Sequence, residues 1–79
     1  MTSIEYIAMF QEALNEVVPG RSGDFENVRL DTHIDDLSVD SVTFMELIGV
    51  VEERVGVTFA DDQLARVATF QDIANLIQV

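Results

Sequence analysis

Apolar residues recur at intervals of three and four in the middle of the chain, and this spacing constrains the fold more than any other feature. The positions that follow it are Phe44, Leu47, Ile48, Val51 and Val55. Such spacing places apolar side chains on one face of an amphipathic helix. Asp40 has the chemistry of an N-cap, and Gly56 suits the left-handed conformation that closes a helix. The sequence therefore predicts a helix over residues 41–55 with one buried face.

A first helix is predicted from about residue 3 to 17. Thr2 and Glu5 have the spacing of a capping box at its start. Pro19 and Gly20 end the segment, since proline cannot continue a helix. The apolar stripe of this helix consists of Ile7, Phe10, Leu14 and Val17.

A long connection over residues 18–40 separates these two helices. It shows no sustained apolar period, and we expect a short helical turn near residues 24–28. Loops of this length in a compact domain are uncommon and are usually functional. The apolar residues that can attach it to the core are Phe25, Val28, Leu30, Ile34 and Leu37.

Two further helices are predicted in the last third of the chain. Asp61 begins a short one that reaches about Val67, and Thr69 and Asp72 repeat the capping-box spacing before the last one. The apolar stripe of the last helix consists of Ile73, Leu76 and Ile77. We therefore predict an all-α fold, a small four-helix bundle with a long loop between helices 1 and 2 and a short third helix. Its 79 residues suit one domain.

The composition excludes several classes of function. The chain has 15 Asp and Glu residues against four arginines and no lysine, with a formal net charge of −11. Such a field repels nucleic acid and anionic membranes and favours partners with basic surfaces. Without cysteine, any thiol chemistry would have to come from a cofactor. With no secretory signal pattern and no apolar run near the roughly 20 residues of a membrane span, we expect a cytoplasmic protein.

The polar residues favour neither a catalytic triad nor a metal site. Ser41 as a nucleophile would need a base, but the one histidine, His33, lies in a predicted loop and no Gly-x-Ser-x-Gly motif is present. The acidic residues near it lack the central glycine and the ligand spacing of a calcium loop. They are Asp31, Asp35, Asp36 and Asp40. A solvated acidic loop is the simpler interpretation.

Ser41, at the entrance to the second helix, has two interpretations. A helix N-terminus carries positive partial charge, so a phosphate esterified to a serine there is electrostatically favoured. A modifying enzyme would then dock on the charges of Asp40 and Glu46, with Val42 and Met45 as the apolar centre of the contact. The other interpretation is an ordinary serine at a helix start. The residues alone permit attachment without requiring it.

The stretch from Leu37 to Val42 reads Leu-Ser-Val-Asp-Ser-Val. It resembles the phosphopantetheine attachment motif of acyl carrier proteins, commonly Leu-Gly-x-Asp-Ser-Leu. The similarity spans nearly the whole chain, and the series in register is more specific than any one piece of it. Its further pieces are Glu46-Leu47, Glu52-Glu53, Val55-Gly56, Phe59-Ala60-Asp61-Asp62 and Thr69-Phe70-Gln71-Asp72.

The resemblance implies an acyl-carrier-like domain over residues 1–79 in which Ser41 receives 4′-phosphopantetheine from coenzyme A. The terminal thiol of that arm would hold an acyl group as a thioester, and the carrier itself would catalyse nothing. The implied partners are a phosphopantetheinyl transferase and acyl-loading and condensing enzymes with basic docking surfaces. The carrier would be a monomer that binds neither nucleic acid nor membrane. The implied docking residues are Asp40, Val42, Met45, Glu46, Glu52 and Glu53.

Three positions depart from the common pattern. Ser38 stands where glycine is common, which restricts the loop before Ser41, while Val42 replaces a leucine and Thr43 stands at an often acidic site. These departures favour bacterial polyketide or related specialised biosynthesis over general fatty-acid synthesis. Two alternatives stay open: a free-standing peptidyl or aryl carrier of nonribosomal synthesis, and an unmodified acidic interaction module with the same fold.

Overall fold

The computed structural model describes residues 1–78, with the backbone alone at Ser22. Its four α-helices are α1 (Ser3–Val17), α2 (Ser41–Val55), α3 (Asp61–Leu64) and α4 (Phe70–Gln78). Two 3₁₀ helices, Pro19–Phe25 and Ile34–Leu37, lie in the connection between α1 and α2. Within residues 1–78 no strand is present. The predicted all-α fold is confirmed, and α1 and α2 have the predicted bounds.

The predicted capping boxes are present at the starts of α1 and α4. The Thr2 hydroxyl accepts the Glu5 amide at 3.2 Å, and the Glu5 carboxylate accepts the Thr2 amide at 2.8 Å. Before α4, the Asp72 carboxylate accepts the amides of Ala68 and Thr69 at 2.8 and 3.0 Å. Because the first amides of a helix have no intrahelical acceptor, these bonds fix where each helix starts.

Two short elements differ from their predictions. The predicted turn near residues 24–28 is instead the 3₁₀ helix Pro19–Phe25, because proline at the first position of a helix presets its backbone. Helix α3 ends at Leu64, whereas the sequence predicted that it reaches Val67. The chain leaves the helix because the Ala68 carbonyl accepts the Ile34 amide at 2.9 Å, which joins this segment to the long connection.

The core lies between α1, α2 and α4. Its fully buried side chains, at 0% exposure, include Phe10, Leu14, Leu47, Val51, Phe70 and Ile73. The rings of Phe10 and Phe70 are 5.1 Å apart, which joins the first helix to the last. Of the predicted stripe of α1, Phe10 and Leu14 are buried, whereas Ile7 and Val17 are only partly buried. The helix buries Tyr6, Met9 and Ala13 as well, because the long connection covers a second side of it.

Polar contacts fix the path of the long connection. The Gln11 side-chain amide of α1 donates to the carbonyls of Phe25 and Glu26 at 3.0 and 3.1 Å. Further along the connection, the backbone amide of Gln71 donates to the Leu30 carbonyl at 2.7 Å. The connection is therefore attached to α1 near its beginning and to α4 near its middle before it enters α2.

Two ion pairs join the C-terminal part of α1 to the C-terminal end of α2. The Arg54 guanidinium lies 3.2 Å from the carboxylates of both Glu12 and Glu16. All three side chains are exposed, so each pair stabilises the fold by no more than about 1 kcal/mol.

Candidate functional site

The candidate site is the first turn of α2, where Ser41 is the first helical residue. Asp40 caps the helix as predicted: its backbone is extended, and its carboxylate accepts the Thr43 amide at 2.7 Å. Hydrogen bonds from the Thr43 amide and then the Thr43 hydroxyl hold the pKa of the Asp40 carboxyl below its ordinary value. The side chain of Ser41 is exposed beside this cap. Its hydroxyl is therefore open to an enzyme approaching from solvent.

The backbone just before the cap has an unusual conformation. Ser38 has a φ of 55° and a ψ of 42°, in the left-handed region, and no other non-glycine residue within residues 1–78 has a positive φ. A left-handed conformation costs about 1–2 kcal/mol for most residues but little for glycine. The expected restriction at this position has a physical basis, since a serine occupies a backbone conformation that favours glycine.

One face of α2 exposes apolar side chains to solvent. Val42 is 69% exposed and Met45 is 50% exposed, whereas Leu47 on the opposite side is fully buried. Glu46 lies one turn after Val42 and is also exposed. We call this set, Val42, Met45 and Glu46, the α2 outer face. The structure thus brings these predicted docking residues together beside Asp40 and Ser41.

The two remaining predicted docking residues lie about two turns further along α2, roughly 10 Å from the outer face. Glu53 is exposed. Glu52 is partly buried, and its carboxylate accepts the Phe59 amide at 2.7 Å. Glu52 therefore attaches the end of α2 to the segment before α3, a contact that sequence spacing did not predict. Gly56, with a φ of 72°, ends α2 in the predicted left-handed conformation.

A groove of about 210 Å³ opens beside Ser41. Its apolar lining consists of Ile34, Val39, Phe44, Met45, Val67 and Ala68. Sequence analysis missed Val39 and Val67 as part of the site. In the sequence, Val39 lies just before one predicted helix and Val67 lies at the end of another. This placement does not indicate which surface either side chain lines.

Of the other candidate residues, the structure brings Asp35 into the lining of the groove beside Ser41. The side chain of His33 is exposed, and its residue makes one isolated antiparallel bridge with Thr69. Asp31 and Asp36 are exposed as well. Over the described part of the chain, no three His, Cys, Asp or Glu side chains are grouped so as to hold a metal ion.

The site fits a covalently attached phosphopantetheine arm. An exposed hydroxyl stands at the start of a 15-residue helix, whose partial positive charge favours an esterified phosphate. The groove beside it offers apolar surface to whatever the arm carries. A bound arm would supply the thiol that the chain lacks.

Comparison with known proteins defines the class of this domain. Residues 8–77 match the family model of the phosphopantetheine attachment site. The chain is 32% identical over 73 residues to an acyl carrier protein of Campylobacter concisus, an alignment that covers 91% of this chain and 95% of that one. It is also 32% identical over 73 residues to an acyl carrier protein of Acidothermus cellulolyticus, covering 92% and 84%. The chain therefore belongs to the acyl carrier protein family.

A third relative, an acyl carrier protein of Thermobifida fusca, is 40% identical over 45 residues, so this chain spans 57% of that protein's length. No solved structure shows significant similarity to the chain. As an acyl carrier protein, the chain is a carrier and not an enzyme, and its cofactor is covalent 4′-phosphopantetheine. It interacts with a phosphopantetheinyl transferase and with biosynthetic enzymes. Among residues 1–78, no helix has the length and apolar character needed to cross a membrane.

Proposed function

We propose that Ser41 carries the phosphopantetheine arm and that acyl groups travel on this arm as thioesters. The observation that carries the proposal is the exposed Ser41 hydroxyl at the first position of α2, directly after the Asp40 cap. The transferase supplies the base that takes the hydroxyl proton. The Ser41 oxygen then forms the phosphodiester bond as the adenosine bisphosphate part of coenzyme A leaves.

The α2 outer face is the proposed docking surface for the transferase and for acyl-loading and condensing enzymes with basic surfaces. Val42 and Met45 supply exposed apolar area, and Asp40 and Glu46 supply negative charge beside it. Glu53 extends the negative charge along α2, and the partly buried Glu52 lies next to it. Exposed charges at the rim of a contact raise the association rate, and salt screens this attraction. Such a contact suits a carrier that must dissociate from each enzyme.

The proposed context is bacterial polyketide or related specialised biosynthesis in the cytoplasm, with residues 1–79 acting as one monomeric carrier domain. The departures at Ser38, Val42 and Thr43 support this context. The groove of about 210 Å³ is smaller than the roughly 300–1,000 Å³ of typical ligand pockets. It would hold a short acyl group or part of the arm, and a longer chain would extend into solvent.

The attachment site is tested by incubating the purified protein with coenzyme A, Mg²⁺ and a broad-specificity transferase. The protein should gain one phosphopantetheine mass, and Ser41→Ala should gain none. Ser3→Ala is the matched control, because Ser3 is also an exposed serine at the first position of a helix. Modification at another residue would overturn Ser41 as the attachment site, and no modification under conditions that modify a known carrier would favour the unmodified interaction module.

The cargo is tested by intact mass of the protein isolated from its native host. The mass of a chain with several keto groups on the arm would support the polyketide context, whereas a saturated or singly oxidised acyl chain would point to fatty-acid synthesis. An aminoacyl or aryl mass would instead assign the chain to nonribosomal synthesis.

A further inference from the structure

One arginine in the long connection contacts the segment just before the cap of α2. The Arg21 guanidinium donates from Nη2 to the Leu37 carbonyl at 2.6 Å and from Nη1 to the Ser38 carbonyl at 3.5 Å. Its Nε donates to the Asp24 carboxylate at 2.9 Å, and its Cζ lies 5.3 Å from the centre of the Phe25 ring. One side chain thus joins the beginning of the connection to its end.

These two carbonyls lie on either side of the left-handed residue. The Leu37 carbonyl belongs to the peptide plane that turns with φ of Ser38, and the Ser38 carbonyl belongs to the plane that turns with ψ. A rigid planar guanidinium that holds both oxygens therefore constrains both dihedral angles of Ser38. Lysine cannot reproduce this geometry, because its ammonium is a point charge without a planar fork.

We propose that Arg21 is a positioning residue for modification of Ser41. This inference rests on the proposed function, in which Ser41 is the attached residue. Arg21 stabilises the left-handed turn at Ser38, and that turn directs Val39 into the groove and Asp40 onto the Thr43 amide. When the turn is lost, the Ser41 hydroxyl leaves the geometry that a transferase recognises.

The expected effect follows from population arithmetic. If the competent loop conformation is populated for a smaller fraction of the time, apparent affinity falls by that fraction. The Arg21 side chain is about a third exposed, so the contacts are partly screened by solvent. We expect Arg21→Gln to lower kcat/KM of the transferase about fivefold, mainly through KM, with kcat at saturation nearly unchanged.

The experiment compares the steady-state modification of four proteins well below their melting temperatures: wild type, Arg21→Gln, Arg21→Lys and Arg54→Gln. Arg54→Gln is the matched control, because it also removes one positive charge and its exposed ion pairs but lies away from the loop. It should keep the wild-type KM. Arg21→Lys should fall between wild type and Arg21→Gln.

A rescue variant separates positioning from general stability. Adding Ser38→Gly to Arg21→Gln lowers the energy of the left-handed conformation without restoring the guanidinium. The double variant should recover part of the lost kcat/KM at temperatures where every variant is fully folded, so that the small gain in overall stability from Ser38→Gly cannot account for the recovery. Equal KM values for Arg21→Gln and Arg54→Gln, or absence of rescue, would overturn the proposal.

Hydrogen exchange of the unmodified proteins provides a readout that does not depend on the transferase. Arg21→Gln should speed exchange of the Thr43 amide, which the Asp40 carboxylate accepts, and Arg54→Gln should not. If wild type is not modified at Ser41, the proposed function fails, and the exchange rates still decide whether Arg21 holds the loop. Unchanged exchange in Arg21→Gln would contradict that role.

Discussion

The two faces of α2 both carry apolar side chains, but these side chains differ in their exposure to solvent. On the inner face, Leu47, Ile48 and Val51 are 0–1% exposed and pack into the core. On the outer face, Val42 and Met45 are at least half exposed although both are apolar. The same helix thus carries apolar side chains that are buried on one side and exposed to solvent on the other, where we propose that they contact other proteins.

With the proposed docking role of the outer face, stability and recognition would be carried by separate residues on one helix. An inner-face residue removed from the core leaves a cavity, which lowers the free energy of unfolding. An outer-face residue touches mainly solvent in the isolated carrier, so its replacement should have little effect on folding. If the outer face is the docking surface, the replacement should change association instead. Paired substitutions on the two faces test whether the residues for folding and for association are separate.

The largest expected effect is that of Leu47→Ala on the inner face. It should lower the free energy of unfolding by about 3 kcal/mol, because it removes a fully buried side chain. The matched substitution on the outer face, Met45→Ala, should change it by less than about 0.5 kcal/mol. Urea denaturation followed by circular dichroism measures both. Similar losses from the two variants would show that Met45 belongs to the core.

The next effect is on recognition. Met45→Glu should weaken association with a transferase about tenfold, since it places charge at the apolar centre of the proposed contact, and the melting temperature should stay close to wild type. Ile4→Glu is the matched control, because Ile4 is an apolar side chain 79% exposed on α1. Titration calorimetry checks both variants. If Ile4→Glu weakens association as much, the outer face of α2 has no special role.

A smaller effect on stability is expected at Asp40, which caps the start of α2. Asp40→Ala should destabilise the fold less than Leu47→Ala, since it removes the cap of the Thr43 amide. Because the pKa of the folded Asp40 carboxyl is lowered, its contribution is present above about pH 4 and is lost as pH falls through the folded pKa. The difference between wild type and Asp40→Ala should therefore shrink on acidification.

Thermal melts of both proteins between about pH 2 and 7 measure this change. A difference that grows as the pH falls would contradict the cap at Asp40.

The smallest effect is a gain in stability from Ser38→Gly. Relief of the left-handed serine is partly offset by the greater freedom of glycine in the unfolded chain, which leaves a gain of about 0.5 kcal/mol. Ser38→Ala keeps a β-carbon in the same conformation and should give no gain. Urea midpoints compare the two variants, and equal midpoints would argue against strain at this residue.

The sequence predicted α1 and α2 because both combine an apolar period with chemical signals at their ends. Thr2 with Glu5, and Asp40 with Gly56, are local features that read directly as helix starts and stops. Short elements were harder, since the end of α3 depends on a bond between Ala68 and Ile34, far apart in the chain. Local patterns carry no information about such a partner.

The candidate site shows the same limit. Ser41 and its neighbours follow from one contiguous motif, so the sequence brought them together. The contact from Arg21 to Leu37 and Ser38 joins residues 16 and 17 positions apart, and no periodicity predicts it. The sequence also did not predict that the Glu52 carboxylate accepts the Phe59 amide. This bond gives Glu52, a predicted docking residue, a structural role as well.

The acidic side chains on and near the outer face also give dissolved ions two opposite effects. In the isolated carrier, with its net charge of −11, counterions reduce repulsion among carboxylates and favour the compact state. In a complex with a basic enzyme, the same ions screen the attraction that joins the two proteins. A rise in ionic strength should therefore stabilise the isolated fold and, at the same time, weaken its association with a basic partner.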